Sequence, residues 1–251
     1  MSRKVLLLFG LLAFVIGLVA YLPARVAVHW LPTDSIDVQL IGVRGTLFDG
    51  HAERVVGANF SVNNLHWRLN PGAILLGRLS VSLYAPSDLA AISATAAYAI
   101  WGTTAITAIN GRASLAWLAQ HAGYDYLPLA GDVSLHDVHV TLGTQQLPTA
   151  VGGRLQLANA RWQLAQPALT FGDYSARLDT ADDKLTLAMT DSSGPLAIKG
   201  NTTYVPANGQ YMLAARLRAR SGADKRLSDL LATISDPDSD GWYRLRQQGQ
   251  F

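Results

Sequence analysis

The segment GDVSLHDVHVTL, residues Gly131–Leu142, indicates the fold class of this chain most directly. Its apolar side chains occupy alternate positions at Val133 and Leu135, and the alternation then shifts by one residue and resumes at Val138. Alternation with a period of two is typical of a strand that buries one face. A shift of one position inside such a run predicts a β-bulge at His136–Asp137. We therefore expect a sheet of half-buried antiparallel strands.

The same alternation recurs elsewhere and predicts a mostly β chain. It is clear in Leu79–Leu83, Leu155–Leu157 and Leu185–Met189, where large apolar residues alternate with other residues. Helical periodicity is confined to two short segments, Ala113–Ala122 and Asp224–Ser235. The second segment would carry one apolar helical face, which consists of Leu227, Leu230, Leu231 and Ile234.

An uncharged apolar run, Val5–Leu22, follows the basic residues Arg3 and Lys4. A helix rises about 1.5 Å per residue, so this run would be roughly 27 Å long and could cross a thin hydrocarbon core. Because Lys and Arg stay on the cytoplasmic side, residues 1–4 are predicted to remain inside and the chain after Pro23 to be exported. A cleaved signal peptide is the alternative, but its apolar region is usually about 7–15 residues. We expect a single transmembrane helix with its ends at Val5 and Leu22.

Composition restricts the function classes. The chain has 251 residues, of which 15% are charged, and its formal net charge is +2. That charge is too sparse for nucleic acid, which requires a dense basic stripe. The absence of cysteine excludes disulfides, thiolate zinc sites and cysteine nucleophiles.

An apparent internal repeat organises the exported part. NNLHWRLNPGAILLGRLSVSL (Asn63–Leu83) aligns with ANARWQLAQPALTFGDYSARL (Ala158–Leu178) at a constant offset of 95 residues. Identical pairs at this offset include Gly57 with Gly152, Asn64 with Asn159, Trp67 with Trp162, Leu69 with Leu164, Gly77 with Gly172, and Leu83 with Leu178. This predicts a duplication into β units at residues 43–143 and 150–251, preceded by a juxtamembrane segment and first strand at residues 23–42. Chance similarity between two amphipathic strand pairs is the alternative.

The chain lacks recognisable catalytic motifs, so we expect no enzyme, no catalytic residue and no cofactor. Asp236–Gly241 copies the opening of a calcium loop, but Gln247 stands where a closing Glu is required, which favours a turn between helix and strand. His136 and His139 lack further ligands at a recognisable spacing, and strand residues three apart point to opposite faces unless a bulge re-aims one. We therefore predict no metal site. Asp182–Asp183 is expected at a solvated hairpin tip.

A basic alternation marks the candidate interaction face. Arg216, Arg218 and Arg220 recur at every second position, with apolar residues between them. They would line one face of a strand. The simpler interpretation is a solubilising face, and the alternative is a docking face for anionic lipid headgroups or an acidic partner strand.

Several segments together resemble the type II secretion system protein N family, a component of the general secretory pathway. The resemblance rests on the basic start with its apolar run, VRGTLFDGHA (Val43–Ala52), LHWRLNPGAILLGRL (Leu65–Leu79), GPLAIKG (Gly194–Gly200) and the end of the chain, Gly209–Gly249. At position 48 the family pattern would have an aromatic residue such as Trp. This chain has Phe48, which is aromatic but smaller, so the departure is small.

This resemblance implies a protein of the Gram-negative inner membrane with a curved antiparallel β-sheet in the periplasm. It implies a non-enzymatic, single-pass component of the machinery that exports folded proteins across the outer membrane. The implied partners are other secretion subunits, with membrane lipid around the anchor. The alternative function is an envelope lipid-handling protein whose curved sheet forms an apolar trough.

Overall fold

The computed structural model describes residues 17, 21–28, 38–57, 61–86, 90–99, 104–121, 128–143, 147–164 and 166–250. Strands dominate these residues and the few helices are short, so the predicted mostly β fold is confirmed. The chain divides into two compact units, Met1–Ser87 and Asp88–Phe251.

The first unit contains an antiparallel sheet in the strand order β1-β3-β4-β5, with β2 paired to β3. Its elements are helix α1 (Ala24–Val28), strands β1 (Val38–Ile41), β2 (Arg44–Gly45), β3 (Asp49–Gly57) and β4 (Ser61–Leu69), helix α2 (Pro71–Leu75) and strand β5 (Arg78–Ala85). Helix α2 begins where the Asn70 side chain accepts the Gly72 N–H at 3.0 Å. Asn at the N-cap and Pro at the next position are the usual start of a helix.

The second unit is an antiparallel meander from β6 to β14, in which each strand from β7 to β13 pairs with the strands before and after it in sequence. Its elements are β6 (Ala90–Ala99), β7 (Thr104–Ser114), helix α3 (Leu115–His121), β8 (Leu129–Leu142), β9 (Pro148–Trp162), β10 (Leu169–Ala181), β11 (Lys184–Ser193), β12 (Leu196–Val205), β13 (Gln210–Ala219), helix α4 (Lys225–Ala232) and β14 (Tyr243–Gln250). Alternating burial along these strands explains the period-two pattern of the sequence.

The core of the second unit lies where α4 packs on the sheet. Its buried residues are Leu169, Leu196, Leu217, Leu227 and Leu231. Leu227 and Leu231 from α4 are 0% and 2% exposed, so one row of the helix supplies the contact. Burying a leucine side chain of this kind contributes about 1.5–3 kcal/mol.

Both predicted helices form, but they are shorter than the sequence suggested. In the segment Ala113–Ala122, helix α3 begins only at Leu115, because Ala113 and Ser114 belong to β7. The Ser114 hydroxyl accepts the Trp117 N–H at 3.1 Å at the start of the helix. The predicted apolar face of α4 was partly wrong. Leu230 and Ile234 remain 44% and 42% exposed, because the helix ends at Ala232 and buries only the row of Leu227.

The predicted bulge in β8 is confirmed. The pairing of β8 with β9 shifts between His136 and His139, and Asp137 adopts a left-handed φ of 49°. The Asp137 N–H donates to the Asn110 side chain at 2.9 Å, which satisfies a donor that the bulge removes from the ladder. Gly153 lies opposite with a φ of 123°, and an added Cβ would come 2.6 Å from the Val138 Cα. Only glycine fits there without strain.

The repeat has a local structural counterpart. Asn64 and Asn159 occupy equivalent repeat positions and adopt nearly the same left-handed φ, 54° and 55°. The connection that follows differs, because the first copy contains α2 whereas the described part of residues 163–168 forms no helix. The division into units at residues 43–143 and 150–251 stays a prediction.

The predicted transmembrane helix, Val5–Leu22, lies outside the described residues apart from Gly17, Tyr21 and Leu22, and the predicted cytoplasmic tip, residues 1–4, lies wholly outside them. In the part of the chain that the structure describes, no helix has the length and apolar character to cross a membrane.

Candidate functional site

The candidate site is built on β13, where the sequence predicted an arginine face. Arg216 and Arg218 lie on the strand, and the buried Leu217 between them faces the core. Arg220 follows the last residue of the strand. The local alternation is therefore as expected for a strand with one buried face.

Arg220 is used within the molecule. Its Nη1 donates to the carbonyl oxygen of Gly194 at 3.0 Å, and its Nη2 donates to the carbonyl oxygen of Ser192. Its backbone N–H donates to the Pro195 carbonyl oxygen at 2.8 Å. These bonds fasten the turn between β11 and β12 to the end of β13, so this guanidinium stabilises the fold.

Arg216 belongs to a row of cations that crosses three strands. It lies directly opposite Lys199 on β12 and directly opposite Arg244 on β14. Directly opposite residues on antiparallel strands have Cβ atoms about 4.5–5.5 Å apart, and like charges at this distance repel. The row therefore concentrates positive charge on one face at some cost in stability.

Trp242 contacts Lys199 of this row and a further cation, Arg218. The Arg218 Cζ lies 4.5 Å and the Lys199 Nζ 5.3 Å from the centroid of the indole ring. A cation over an indole face is attracted by the ring quadrupole, by about 0.5–1 kcal/mol at an exposed site. We call Lys199, Arg216, Arg218, Arg244 and Trp242 the basic face.

Asp238 positions Trp242. Its Oδ1 accepts the backbone N–H of Trp242 at 2.9 Å and that of Asp240 at 3.1 Å. Its Oδ2 lies 3.8 Å from the Arg244 guanidinium. The Trp242 N–H above all, then the Asp240 N–H and the nearby arginine charges, hold the pKa of the Asp238 carboxyl below its usual range.

The segment that copied a calcium loop is thus a turn between helix and strand, as predicted. The carboxylate of Asp238 is occupied by backbone donors, and Pro237 makes an isolated antiparallel bridge with Tyr243. Among the described residues, no three His, Asp or Glu side chains cluster in a way that could hold a metal ion.

The remaining candidates do not converge on a site. His136 lies opposite Arg154, and His139 opposite Gly152, so the bulge turns both histidines to the same face. The His139 ring packs against Gly152. Asp182–Asp183 forms an exposed turn with φ values of 51° and 55°, which confirms the predicted hairpin tip.

Sequence reasoning missed most of the basic face. Lys199, Trp242 and Arg244 are separated from Arg216 by many residues, and only the register of three strands brings them together. The signal available in the sequence was the alternation of Arg244 and Arg246 around an apolar residue, the same pattern as in β13.

Comparisons with known proteins agree on one family. The family model described as "Type II secretion system (T2SS), protein N" matches residues 37–246. The chain is 28% identical to the type II secretion system protein N of Aeromonas hydrophila, with 100% of both chains covered. It is 24% identical to the protein of the same name from Vibrio cholerae, with 94% of this chain and 93% of the relative covered. A search of solved structures found no match.

The family model covers most of the chain, including every residue of the basic face. The chain therefore belongs to the type II secretion system protein N family.

Proposed function

We propose that this chain is a non-enzymatic, single-pass inner-membrane component of the type II secretion machinery. Val5–Leu22 would be its anchor, residues 1–4 its cytoplasmic tip, and the β units at residues 43–143 and 150–251 its periplasmic part. The observation that carries the proposal is the family match over residues 37–246. The basic residues before the apolar run support the orientation.

The basic face supports a role in contacting another secretion subunit. Its cations Lys199, Arg216 and Arg244 lie opposite one another, and the Asp238 carboxylate lies 3.8 Å from one of them, Arg244. The repulsion that remains costs stability, and an acidic surface on a partner would lower that cost while steering the encounter. Anchoring both proteins in one membrane would raise their effective concentration further.

The topology is tested with two fusions to the carboxyl terminus. Alkaline phosphatase fused after Phe251 should be active, and a fluorescent protein that folds only in the cytoplasm should stay dark. The opposite result would place the domain inside the cell and overturn the proposal.

The contact is tested by photo-crosslinking in cells that secrete through this pathway. A photoreactive amino acid at Arg216 should give a crosslinked band that contains a secretion subunit, and the same amino acid at the exposed hairpin residue Asp183 should not. Crosslinks to bulk lipid alone would contradict the proposed partner.

One observation favours the alternative of a lipid-handling trough. Leu135, Leu155, Ala176 and Met189 form an apolar row across four neighbouring strands, and all are only half-buried. Half-exposed apolar side chains could contact acyl chains. Native mass spectrometry of the full chain tests this, because a trough predicts co-purifying lipid and its absence argues for a protein-binding role.

A further inference from the structure

Strand β14 leaves one edge of the second unit's sheet unpaired. It pairs with β13 along its whole length, and within the described residues no other strand joins it. The strand contains no proline, so each residue offers a backbone N–H. Edges of this kind accept strands from other chains unless they are blocked.

The first part of this edge is covered. The Arg244 N–H donates to the Ser235 hydroxyl at 3.0 Å, so the backbone groups of Arg244 point away from β13. The Asp238 N–H donates to the Trp242 carbonyl oxygen at 2.9 Å on the same side. Residues 235–238 therefore shield the start of the strand.

The second part of the edge is open. Backbone groups of a strand point to alternate sides, so those of Arg246, Gln248 and Gln250 face outward like those of Arg244. No register shift interrupts the pairing of β13 with β14, so this alternation holds along the strand. In the described structure, no backbone hydrogen bond from another segment reaches these three residues.

The side chains on the two faces of this edge differ in chemistry. Arg244 and Arg246 project on the basic face, which also carries Arg216. Tyr243 and Leu245 project on the other face and pack against the leucine core. Because directly opposite residues share a face, a strand added at Arg246–Gln250 would place one set of side chains on the face of Arg246 and the alternate set on the face of Leu245.

We propose that the open edge of β14, from Arg246 to Gln250, docks an extended segment of another protein in which acidic and apolar residues alternate. A carboxylate would lie opposite Arg246 and diagonally beside Arg244, where it would neutralise part of the cation row. An apolar side chain opposite Gln247 would lie diagonally beside Leu245 and would extend the core. The identity of that protein as a secretion subunit rests on the proposed function.

The docking is tested by residue-resolved hydrogen exchange on the full chain in detergent. An eight-residue peptide of alternating Glu and Val should slow exchange at the Arg246 and Gln248 amides by at least about tenfold. The Gln247 amide should not change, since it already faces β13. A peptide of alternating Lys and Val is the matched control. Equal protection by both peptides, or none by the Glu peptide, would refute the charge-matched edge.

A backbone variant separates edge pairing from simple charge attraction. Gln248→Pro removes one outward N–H, and proline is tolerated on edge strands. It should weaken binding of the Glu-Val peptide by about tenfold, whereas Gln248→Ala should change binding by less than about threefold. The same peptide with N-methyl groups on alternate residues, tested on the unaltered chain, should bind no better than the Lys-Val peptide. Unchanged binding of the methylated peptide would overturn the proposal.

A lipid surface is tested in parallel. Vesicles of phosphatidylglycerol should leave the exchange of the Arg246 and Gln248 amides unchanged, and protection of these amides by vesicles alone would contradict a protein strand. The two proposals also fail separately. Crosslinks from Arg216 to a secretion subunit, without protection of the amides by the peptide, would refute the edge site alone. Protection by the peptide without such crosslinks would refute only the proposal that the partner is a secretion subunit.

Discussion

The hydroxyl of Tyr174 lies 3.0 Å from the carbonyl oxygen of Leu196, which ties β10 to the beginning of β12 across the intervening strand β11. The same hydroxyl lies 3.0 Å from the Phe171 carbonyl oxygen, so its single proton is shared between two acceptors. Tyr174 is buried, so this link lies inside the second unit.

Replacing Tyr174 with Phe should lower the free energy of unfolding by about 1–2 kcal/mol, because a buried carbonyl loses its donor. Urea unfolding followed by circular dichroism measures the change. Tyr98→Phe is a suitable control, since Tyr98 is 46% exposed and its variant should match the parent. Equal stability of the Tyr174 variant and the control would show that the link contributes nothing.

The same tyrosine predicts alkaline sensitivity. Burial, as the largest cause, raises the pKa of Tyr174 well above its ordinary value of 10.0. The folded state therefore holds this proton more tightly than the unfolded state, so the stabilisation is complete below pH 10 and declines as the pH rises above it. Melting temperatures between pH 9 and about 11.5 should fall more steeply for the parent chain than for Tyr174→Phe. Parallel curves would contradict this.

Gly153→Ala should be strongly destabilising. The new Cβ would meet the Val138 Cα at 2.6 Å and would also force alanine into a φ of 123°. We expect a loss of about 2–4 kcal/mol in unfolding free energy. Gly222→Ala separates the two causes, because Gly222 has a φ of 82° but open space around its added Cβ. That control should cost only about 1 kcal/mol.

The stacking of Arg218 on Trp242 is measurable by a double-mutant cycle. The variants Arg218→Met, Trp242→Leu and their combination should give a coupling free energy of about 0.5–1 kcal/mol at low salt. Thermal unfolding of the four proteins supplies the values. Additive effects would mean that the 4.5 Å approach of the two groups carries no energy.

Asp224 at the start of α4 gives an acid-side prediction. Its carboxylate accepts the Arg226 N–H at 2.9 Å, and the Arg226 side chain, above all, lowers the pKa of Asp224 to about 2. A lowered pKa means that this stabilisation is present above the ordinary value of 3.8 and is lost as the pH falls from there towards 2.

Two variants separate the parts of this contribution. Asp224→Asn should keep the cap but flatten the change in melting temperature between pH 5 and about 2.5. Asp224→Ala should melt below both the parent and the Asn variant at pH 7. If the Ala variant instead melted at a higher temperature than the Asn variant, the N-cap hydrogen bond of residue 224 would not contribute to stability.

The alternation of apolar residues predicted the strands in which it is clear, such as β5, β8, β9 and β11, because burial of one face is a local property of the sequence. It did not single out the alanine-rich β6. It also predicted the bulge at Asp137, since an unpaired residue shifts the phase of the pattern. Helix α2 was missed although Asn70-Pro71 is a usual helix start, because five residues are too few to show a helical period.

The register between distant strands could not be predicted. Lys199, Arg216 and Arg244 become neighbours through turn lengths and the bridge at Pro237, none of which the apolar pattern encodes. Alternation predicted the face on which each arginine lies, but it could not show that the Arg220 guanidinium donates to the Ser192 carbonyl oxygen within the molecule.

The meander of the second unit has a consequence for how this chain can change over evolution. Among the described residues, the strands there hydrogen-bond only to strands next to them in sequence, so each strand depends on its immediate neighbours for its pairing. Adding or deleting strands at the β14 end would leave the remaining strand pairs unchanged. Relatives can therefore differ in length at this end of the sheet without a change in the order of the other strands. Fraying under stress should start at the same margin and travel inward one hairpin at a time.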